Sequence, residues 1–398
     1  MKDISNEIRD EGIKHWGEYA RFEARSFEYY HQAIEDILNK IDGNLGTFQD
    51  KIPAPASRNL VYEAIDNIYW TSSFWSGMLW LAYEITGEAK YRRVAEAQLQ
   101  LHRRRLEEGV NTDTHDLGFL YSLSGVAAFK LTGNEAAKDL ALEAAEHLSG
   151  RYWERAGIIQ AWGVMDDPEE RGRMIIDCLL NLPLLYWASE VTGDARYRKI
   201  AYNHVYQNAR YIVRQDASTF HTFFLDVATG RPIAGKTHQG FSDDSCWARG
   251  QAWGIYGFPL SYRYTGDWRL IEVAKRLSNY FLNRLPEDQV PYWDLIFDGG
   301  AERDSSAAAI ACCGLLELSK HLPLADPSKR VYENAALSIL SSLIDHYTTK
   351  EIPYSNGLLL HGLQHKPKGL GVDECCIWGD YYFFEALVRV VKDWEPYW

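Results

Sequence analysis

Two aspartates in apolar surroundings are the first candidates for chemistry. Asp177 lies within residues 174–180 (MIIDCLL), where every neighbour is apolar. Burial there would disfavour the carboxylate and raise its pKa, as a general acid working near neutral pH requires. A core aspartate satisfied by backbone amides is the alternative, and both stay open. Asp116 directly precedes an apolar stretch, so a helix N-cap is its first interpretation and catalysis its second.

A segment rich in tryptophan and glycine, residues 247–257 (WARGQAWGIYG), is the next candidate. Glycine lets a ligand approach the backbone closely, and tryptophan offers a flat apolar face. The guanidinium of Arg249 offers a planar fork that matches a carboxylate. This mixture suits an acidic sugar, although close helix packing through small residues would produce the same pattern.

Three other patterns argue against a cofactor. Residues 230–237 (GRPIAGKT) match a phosphate-binding loop, but the following HQGFSDD does not start a helix, so a hairpin turn is the better interpretation. The histidines lack the spacing of a metal-binding helix motif, so we predict no metal. The six cysteines include two adjacent pairs, which suits neither disulfides nor zinc and indicates reduced thiols.

Repeated turns indicate the elements that must position these residues. Thr-Gly followed by Glu, Asn or Asp ends an apolar helical stretch at residues 86–88, 132–134, 192–194 and 265–267. Glycine supplies the left-handed residue after a helix, and the next polar residue can cap the following helix. Residues 175–188 are apolar nearly throughout and are predicted to form an inner helix. We therefore predict an all-α fold, a six-hairpin (α/α)6 barrel, or toroid, with an open central cleft.

Composition limits the classes of partner. The 42 Lys plus Arg against 55 Asp plus Glu give a net charge of −13, which disfavours nucleic acid and acidic membranes but permits a small anionic substrate. No run is apolar and long enough to span a bilayer, and the charged start does not suit a signal peptide. We predict a cytoplasmic protein with one catalytic domain over residues 1–398, including an N-terminal extension over residues 1–25.

Taken together, the motifs resemble those of the unsaturated glucuronyl hydrolases of glycoside hydrolase family 88. The resemblance runs in unbroken order over about residues 60–390. The matching stretches include FWSG (74–77), HDLGFLYS (115–122), IQAWG (159–163), IIDCLLN (175–181), FHTF (220–223), THQG (237–240), WARGQAWGIYG (247–257), YWD (292–294), RDSS (303–306) and IWGDYY (377–382).

The resemblance implies a substrate and a reaction. The expected substrates are unsaturated glycosaminoglycan disaccharides that carry a 4,5-unsaturated uronic acid at the non-reducing end. The carboxyl matching Asp177 would protonate C4 and then help water to add at C5, and Asp116 would orient the sugar or share the proton. The matching substrate-binding positions are Trp70, His115, Trp162, His221, His238, Gln239, Trp247, Arg249 and Trp253.

One loop departs from the family pattern. Streptococcal relatives that favour sulfated chondroitin disaccharides carry a Ser-x-x-Ser-x-Lys loop, where this chain has residues 365–370 (HKPKGL). The loop stays basic, so we expect His365 and Lys368 to contribute to binding, with the sulfation preference open. Two alternative functions also stay open: an unsaturated rhamnogalacturonyl hydrolase, and a sugar-binding protein without catalytic activity.

Overall fold

The computed structural model describes residues 7–398 and shows a ring of helical hairpins with small antiparallel sheets in its loops. The α-helices are α1 (Trp16–Arg21), α2 (Phe27–Asn44), α3 (Ser72–Thr86), α4 (Ala89–Glu107), α5 (Leu117–Tyr121), α6 (Ala127–Thr132), α7 (Glu135–Ser149), α8 (Leu182–Thr192), α9 (Ala195–Gln207), α10 (Ala248–Thr265), α11 (Trp268–Leu282), α12 (Ser305–His321), α13 (Pro327–His346) and α14 (Ile377–Val391). The strands, paired β1–β2, β3–β4, β5–β6–β7 and β8–β9, are β1 (Ile52–Pro53), β2 (Ala64–Ile65), β3 (Tyr152–Trp153), β4 (Ile158–Ile159), β5 (Arg173–Ile175), β6 (Thr222–Leu225), β7 (Pro232–Lys236), β8 (Gly362–His365) and β9 (Leu370–Glu374).

Burial divides the helices into two layers. Helices α3, α5–α6, α8, α10, α12 and α14 form the inner layer; in α10, for example, every residue from Ala248 to Ser261 is buried. A helix that is apolar all round must be enclosed by other elements. Helix α14 contacts α12 and α3 and pairs with α2, so the sixth hairpin joins helices from opposite ends of the chain and closes the ring. The predicted (α/α)6 barrel is confirmed.

The four Thr-Gly turns connect inner helices to outer ones. Gly87, Gly133, Gly193 and Gly266 all have φ between 67° and 76°, the left-handed conformation predicted for them. Each threonine hydroxyl donates to the carbonyl four residues earlier, which anchors the turn to the helix that it ends. Asn134, Asp194 and Asp267 cap the following helices as predicted. Glu88 does not cap α4, since its longer side chain pairs with Lys90 at 3.0 Å.

The predicted inner helix over residues 175–188 is wrong in its first half. Strand β5 ends at Ile175, a 3₁₀ turn covers Ile176–Leu180, and α8 begins only at Leu182. Pro183 explains the break, because proline lacks an N–H and its ring would clash with the carbonyl of Leu179 in a continuous α-helix. Asp177 therefore lies on a turn between a strand and a helix.

The long loops lie at one end of the barrel, because each of them precedes an inner helix. They contain the strands, and they place the N-termini of the inner helices at that end. The N-terminus is the positive end of the helix dipole, so this end is suited to an anionic ligand. The predicted hairpin turn at residues 226–232 is confirmed: it connects the paired strands β6 and β7, and Gly230 has a φ of 73°. All six cysteines are buried and free.

The N-terminal segment is docked onto the outer layer. Helix α1 packs on α13, Glu11 pairs with Arg284 at 2.7 Å, and the Lys14 amide donates to the Asn283 side chain at 2.7 Å. The first six residues of the predicted extension (1–25) lie outside the described residues. Within residues 7–398, no helix combines the length and the apolar character needed to cross a membrane.

Candidate active site

A cavity of about 200 Å³ opens at the loop end of the barrel, and we call it the cleft. Every residue that lines it is among the predicted site residues: Trp70, Asp116, Trp162, Asp177, His238, Gln239, Trp247, Arg249 and Trp253. These residues come from four long loops and the start of α10. The structure thus brings together side chains that are separated by up to 183 positions in the sequence, from Trp70 to Trp253.

Within residues 7–398, the carboxyl of Asp177 has one oxygen without a hydrogen-bond partner. It lies on the 3₁₀ turn before α8, and its Oδ1 is buried without a hydrogen bond to any described residue. Burial raises its pKa to about 8, and the neighbouring charge of Asp116 adds to the rise. A carboxyl with this pKa keeps its proton at neutral pH and can donate it.

Asp116 occupies a more polar environment than Asp177. Its Oδ2 accepts a hydrogen bond from the Thr114 hydroxyl at 2.7 Å. Burial raises its pKa to about 6, while the Thr114 hydrogen bond and the charges of Arg105 and Arg151 act in the opposite direction. Asp116 stands at the N-cap position of α5 but makes no capping hydrogen bond, so its first interpretation, a structural cap, is wrong.

His115 lies next to both carboxyls. Its Nε2 lies 3.4 Å from Oδ1 of Asp116 and 3.9 Å from Oδ1 of Asp177, and the ring is fully buried. Burial lowers its pKa to about 3, so the imidazole is neutral. One donor atom from each of the three residues lies within 4.8 Å of the others, and such a set could accept a cation by donor type. The absence of a metal stays a prediction.

His221 fastens a cleft loop to the turn that carries Asp177. Its Nδ1 accepts hydrogen bonds from the backbone amides of His238 at 3.0 Å and Gln239 at 3.1 Å, so its proton is on Nε2. Its carbonyl accepts from the amide of Ile176 at 3.1 Å. Burial lowers its pKa well below the ordinary value, with contributions from His238 and Arg249. The structure places this predicted binding residue behind the loop that it supports.

Arg249 is already engaged by the protein. Its Nη1 pairs with Asp304 at 2.9 Å and donates to the Leu363 carbonyl, and its Nη2 donates to the Gln364 carbonyl at 2.8 Å. The guanidinium lies between the rings of Trp247 and Trp378, at 4.5 Å and 4.8 Å from their centroids. Arg249 lines the cleft and also holds strand β8 beside it, as does Gln239, whose amide donates to the Gln364 carbonyl at 3.1 Å.

The basic loop lies beside the cleft without lining it. His365 contacts His238 with ring centroids 5.0 Å apart, and burial lowers its pKa to about 4. Lys368 is exposed and forms no ion pair with any residue from 7 to 398. Burial lowers the pKa of His238, and the charge of Lys368 adds to this decrease and to that of His365.

The tryptophans differ in what they present to the cleft. Trp162 is half-buried and packs edge-on against His238, with centroids 5.2 Å apart. Trp70 is half-buried and stacks on Trp378 at 5.3 Å, while Trp253 is 1% exposed and forms part of the floor. Trp378 was not among the predicted binding residues, although it lies within a stretch that carried the family resemblance.

Asn181 is a second residue that sequence reasoning missed. Its side chain is fully buried between the turns that carry Asp116 and Asp177. A polar amide directly before an apolar helix, at the end of the IIDCLLN stretch, was the available signal.

The chain forms a ring of six helical hairpins with an aromatic cleft, and two carboxyls in this cleft have raised pKa values. These features are typical of α/α-barrel enzymes that act on carbohydrates. The chain belongs to glycoside hydrolase family 88, since the profile described as Glycosyl Hydrolase Family 88 matches residues 45–390. It is 48% identical over 390 residues to the unsaturated chondroitin disaccharide hydrolase of Streptococcus pyogenes serotype M1, covering 98% of each chain.

Two solved structures are similar throughout. The crystal structure of an unsaturated glucuronyl hydrolase from Streptococcus agalactiae has a TM-score of 0.96 and 46% identity, covering 98% of this chain and 99% of that one. An Asp-to-Asn variant from that organism, complexed with dGlcA-GalNAc6S, has a TM-score of 0.88 and 44% identity, covering 98% and 99%.

Proposed function

We propose that this enzyme hydrolyses unsaturated glycosaminoglycan disaccharides by hydrating the 4,5 double bond of the terminal uronic acid. The observation that carries the proposal is Asp177, a carboxyl whose pKa is raised to about 8 within an aromatic cleft. The names of the streptococcal relatives and the disaccharide bound to one of them support the same substrate class.

The reaction needs one proton donor that becomes a base. Asp177 transfers its proton to C4 of the enol ether, and positive charge develops at C5 beside the ring oxygen. Water then adds at C5 and returns a proton to the Asp177 carboxylate. The hemiketal formed at C5 opens, and C1 becomes a hemiacetal that releases the amino sugar. Asp116, at lower pKa, holds negative charge beside Asp177 and favours its protonated form.

The cleft also suits the shape and charge of the substrate. Trp70 and Trp162, both half-buried, offer flat faces to the C–H groups of sugar rings, and Trp247 forms part of the wall. Gln239 and Arg249 line the same cavity and can hold the uronate and its hydroxyls. The net charge of −13 does not oppose this, because the N-termini of the inner helices and Arg249 act at close range.

Preference among disaccharides depends on the basic loop. Lys368 is the exposed cation beside the cleft, and His238 and His365 stand next to it. We propose that this group contacts the amino sugar, which permits a sulfate but supplies donors different from those of the Ser-x-x-Ser-x-Lys loop. Initial rates with unsulfated, 4-sulfated and 6-sulfated chondroitin disaccharides, compared between wild type and Lys368→Ala, measure that preference.

Loss of ultraviolet absorbance from the conjugated ene-carboxylate tests the activity directly. We expect the signal to fall when the enzyme is mixed with unsaturated chondroitin or hyaluronan disaccharide. The same assay with a rhamnose-containing unsaturated disaccharide from pectin separates the closest rival. Turnover of the rhamnose-containing substrate alone would replace our proposal with an unsaturated rhamnogalacturonyl hydrolase.

We also propose one catalytic domain that functions in the cytoplasm. The docking of α1 on α13 supports a single folding unit, and six buried free thiols are ordinary in a reducing compartment. Limited proteolysis of the native protein and fractionation of the producing cells test these two points.

A further inference from the structure

Helix α5 has an unusual first turn. The early amides of a helix lack partners within the helix, and the N-cap side chain usually accepts from the second or third of them. Asp116 stands at the N-cap position, yet its carboxylate bonds to Thr114 and makes no capping bond. The third amide, that of Phe119, donates instead to Oδ1 of Asn181 at 2.7 Å. The cap of α5 thus comes from a residue 62 positions along the chain.

Asn181 contacts both carboxyl-bearing turns. Its Nδ2 lies 3.5 Å from the backbone carbonyl of Asp177. Burial raises the pKa of Asp116, and the Asn181 side chain is among the groups that act in the opposite direction. The amide group is fully buried, so each of these contacts is made without competition from solvent.

Gly118 is the residue that permits this arrangement. A Cβ at Gly118 would lie 2.2 Å from Cα and 2.5 Å from Cβ of Asn181. The nearest atoms belong to backbone, which cannot rotate away as the end of a long side chain can. Glycine at this position lets the first turn of α5 approach the Asp177 turn closely enough for the capping bond to form.

We propose that Asn181 is a positioning residue that caps α5 in place of Asp116 and thereby leaves the Asp116 carboxyl free to face Asp177. Loss of the Asn181 side chain would leave the Phe119 amide without a partner. Asp116 occupies the standard capping position, so its carboxyl would turn towards that amide and away from Asp177. The consequence for turnover rests on the proposed function, whereas the consequence for the Asp116 side chain does not.

Crystal structures of two variants test the capping role without any assay of activity. In Asn181→Ala we expect the Asp116 carboxylate within hydrogen-bond distance of the Phe119 amide. In Asn181→Asp, which keeps an acceptor for the Phe119 amide, we expect Asp116 to make no capping bond to that amide. An unmoved Asp116 in Asn181→Ala overturns the proposal. If Asn181→Ala does not fold, an Asp116 that caps α5 in Asn181→Asp overturns it equally.

Kinetics of a double variant test whether Asn181 acts through Asp116. We expect Asn181→Ala to lower kcat roughly 10- to 100-fold, the range that a misplacement near 1 Å produces, with KM changed less than about threefold. In the Asp116→Asn background the same substitution should change kcat by less than about twofold. An equal loss in both backgrounds overturns the proposal. Absence of turnover by wild type would instead reject the proposed substrate and leave the crystallographic test valid.

Gly125→Ala is the matched control. This glycine lies in the same inner helical segment, but a Cβ there would meet α7, at 3.0 Å from the Ala137 carbonyl and 3.1 Å from the Ala141 Cβ. We expect it to lower stability while kcat stays within about twofold of wild type, because its contact does not involve the carboxyl-bearing turns. Gly118→Ala, by contrast, should reproduce the loss of kcat seen in Asn181→Ala.

Discussion

At the scale of single residues, the two aspartates of the cleft differ in what surrounds them. Asp116 accepts a hydrogen bond from the Thr114 hydroxyl, and the charges of Arg105 and Arg151 lower its pKa against the effect of burial. Oδ1 of Asp177 has no hydrogen-bond partner among the described residues, and the charge of Asp116 raises its pKa further than Arg249 lowers it. The shared proton of the pair therefore resides mainly on Asp177, which fits a proton donor beside an anionic neighbour.

Replacement of Asp177 by Asn should abolish turnover while binding survives. Asparagine keeps the size and hydrogen-bonding capacity of the side chain but carries no transferable proton, so we expect kcat to fall by about 1,000-fold or more. Single-turnover absorbance measures kcat, and quenching of tryptophan fluorescence measures binding. Near-normal turnover would remove Asp177 from the role of acid.

Activity should fall on the alkaline side. The donor form of Asp177 is the protonated one, and its pKa is about 8. The kcat/KM should therefore be level between about pH 6, where Asp116 ionises, and about pH 8, and decline about tenfold per pH unit above pH 8. Profiles from pH 5 to pH 10 in constant-ionic-strength buffers measure this limb. A rate that rises through pH 8 would show that the ionised form is the active one.

Burial of Asp177 should also lower the stability of the folded state at neutral and alkaline pH. Its pKa rises from 3.8 to about 8 on folding, so between these values the native state binds a proton that the unfolded state has lost. Stability contributed by this group therefore falls as pH rises through that window. The Tm of Asp177→Asn minus that of wild type should increase from pH 5 to about pH 8 and then level off. Asp116→Asn is the control, since the increase in its Tm relative to wild type should level off near pH 6.

At the scale of elements, the Asp177 turn is held by the face of α10. A Cβ at Gly257 would lie 2.3 Å from the Leu179 Cβ, so only glycine lets α10 pack against the 3₁₀ turn. A Cβ at Gly254, one turn earlier, would meet the terminal methyl of Leu277 instead, at 2.5 Å. The glycines within residues 247–257 thus allow close helix packing, while Trp247, Arg249 and Trp253 of the same segment line the cleft. Close packing and sugar binding, the two interpretations of this segment, are therefore compatible.

Gly257→Ala should disturb both stability and catalysis. Overpacking at a rigid contact costs about 1–3 kcal/mol, and displacement of the Asp177 turn should lower kcat as well. Gly254→Ala should lower stability with less effect on kcat, because the Leu277 side chain can move. Urea denaturation and steady-state kinetics of both variants provide the comparison. Equal kcat values for the two variants would contradict this account.

At the scale of the whole molecule, residues 392–398 close the end of the ring opposite the cleft. Trp398 is fully buried, stacks on Tyr382 with centroids 5.9 Å apart, and donates to Glu385 at 2.9 Å. It also contacts Phe119, whose ring lies 5.4 Å from Trp70 and 5.5 Å from Trp253. The aromatic core is thus continuous from the base of the barrel to the floor of the cleft.

Trp398→Ala should destabilise the protein by about 3–5 kcal/mol, because it removes a large buried ring and leaves a cavity. Since the cavity lies beneath Phe119, we also expect KM to rise more than kcat falls. Urea denaturation measures the first effect and steady-state kinetics the second. Leu324→Ala, at a side chain that is 93% exposed, should change neither. A change in unfolding free energy below about 0.5 kcal/mol would contradict the role of Trp398.

The sequence by itself determined the hairpins and the chemical types at the cleft. Thr-Gly turns and apolar helical stretches predict the helical hairpins, because capping and burial periodicity are local properties. Asp177 could be identified because six apolar neighbours make an ionised carboxylate costly. Pro183 was visible in the sequence too and would have limited the predicted helix over residues 175–188 to its second half.

Tertiary structure alone decided which distant residues meet. It closed the ring by pairing α2 with α14, and it placed the Asp116 and Asp177 carboxyls within 4.8 Å of each other. It also engaged Arg249 with Asp304 and supplied the cap of α5 from Asn181. Sequence patterns record preferences of neighbouring residues, whereas these contacts depend on how separate elements pack. The protonated state of Asp177 follows from that packing, because burial and the charge of Asp116 exist only in the folded barrel.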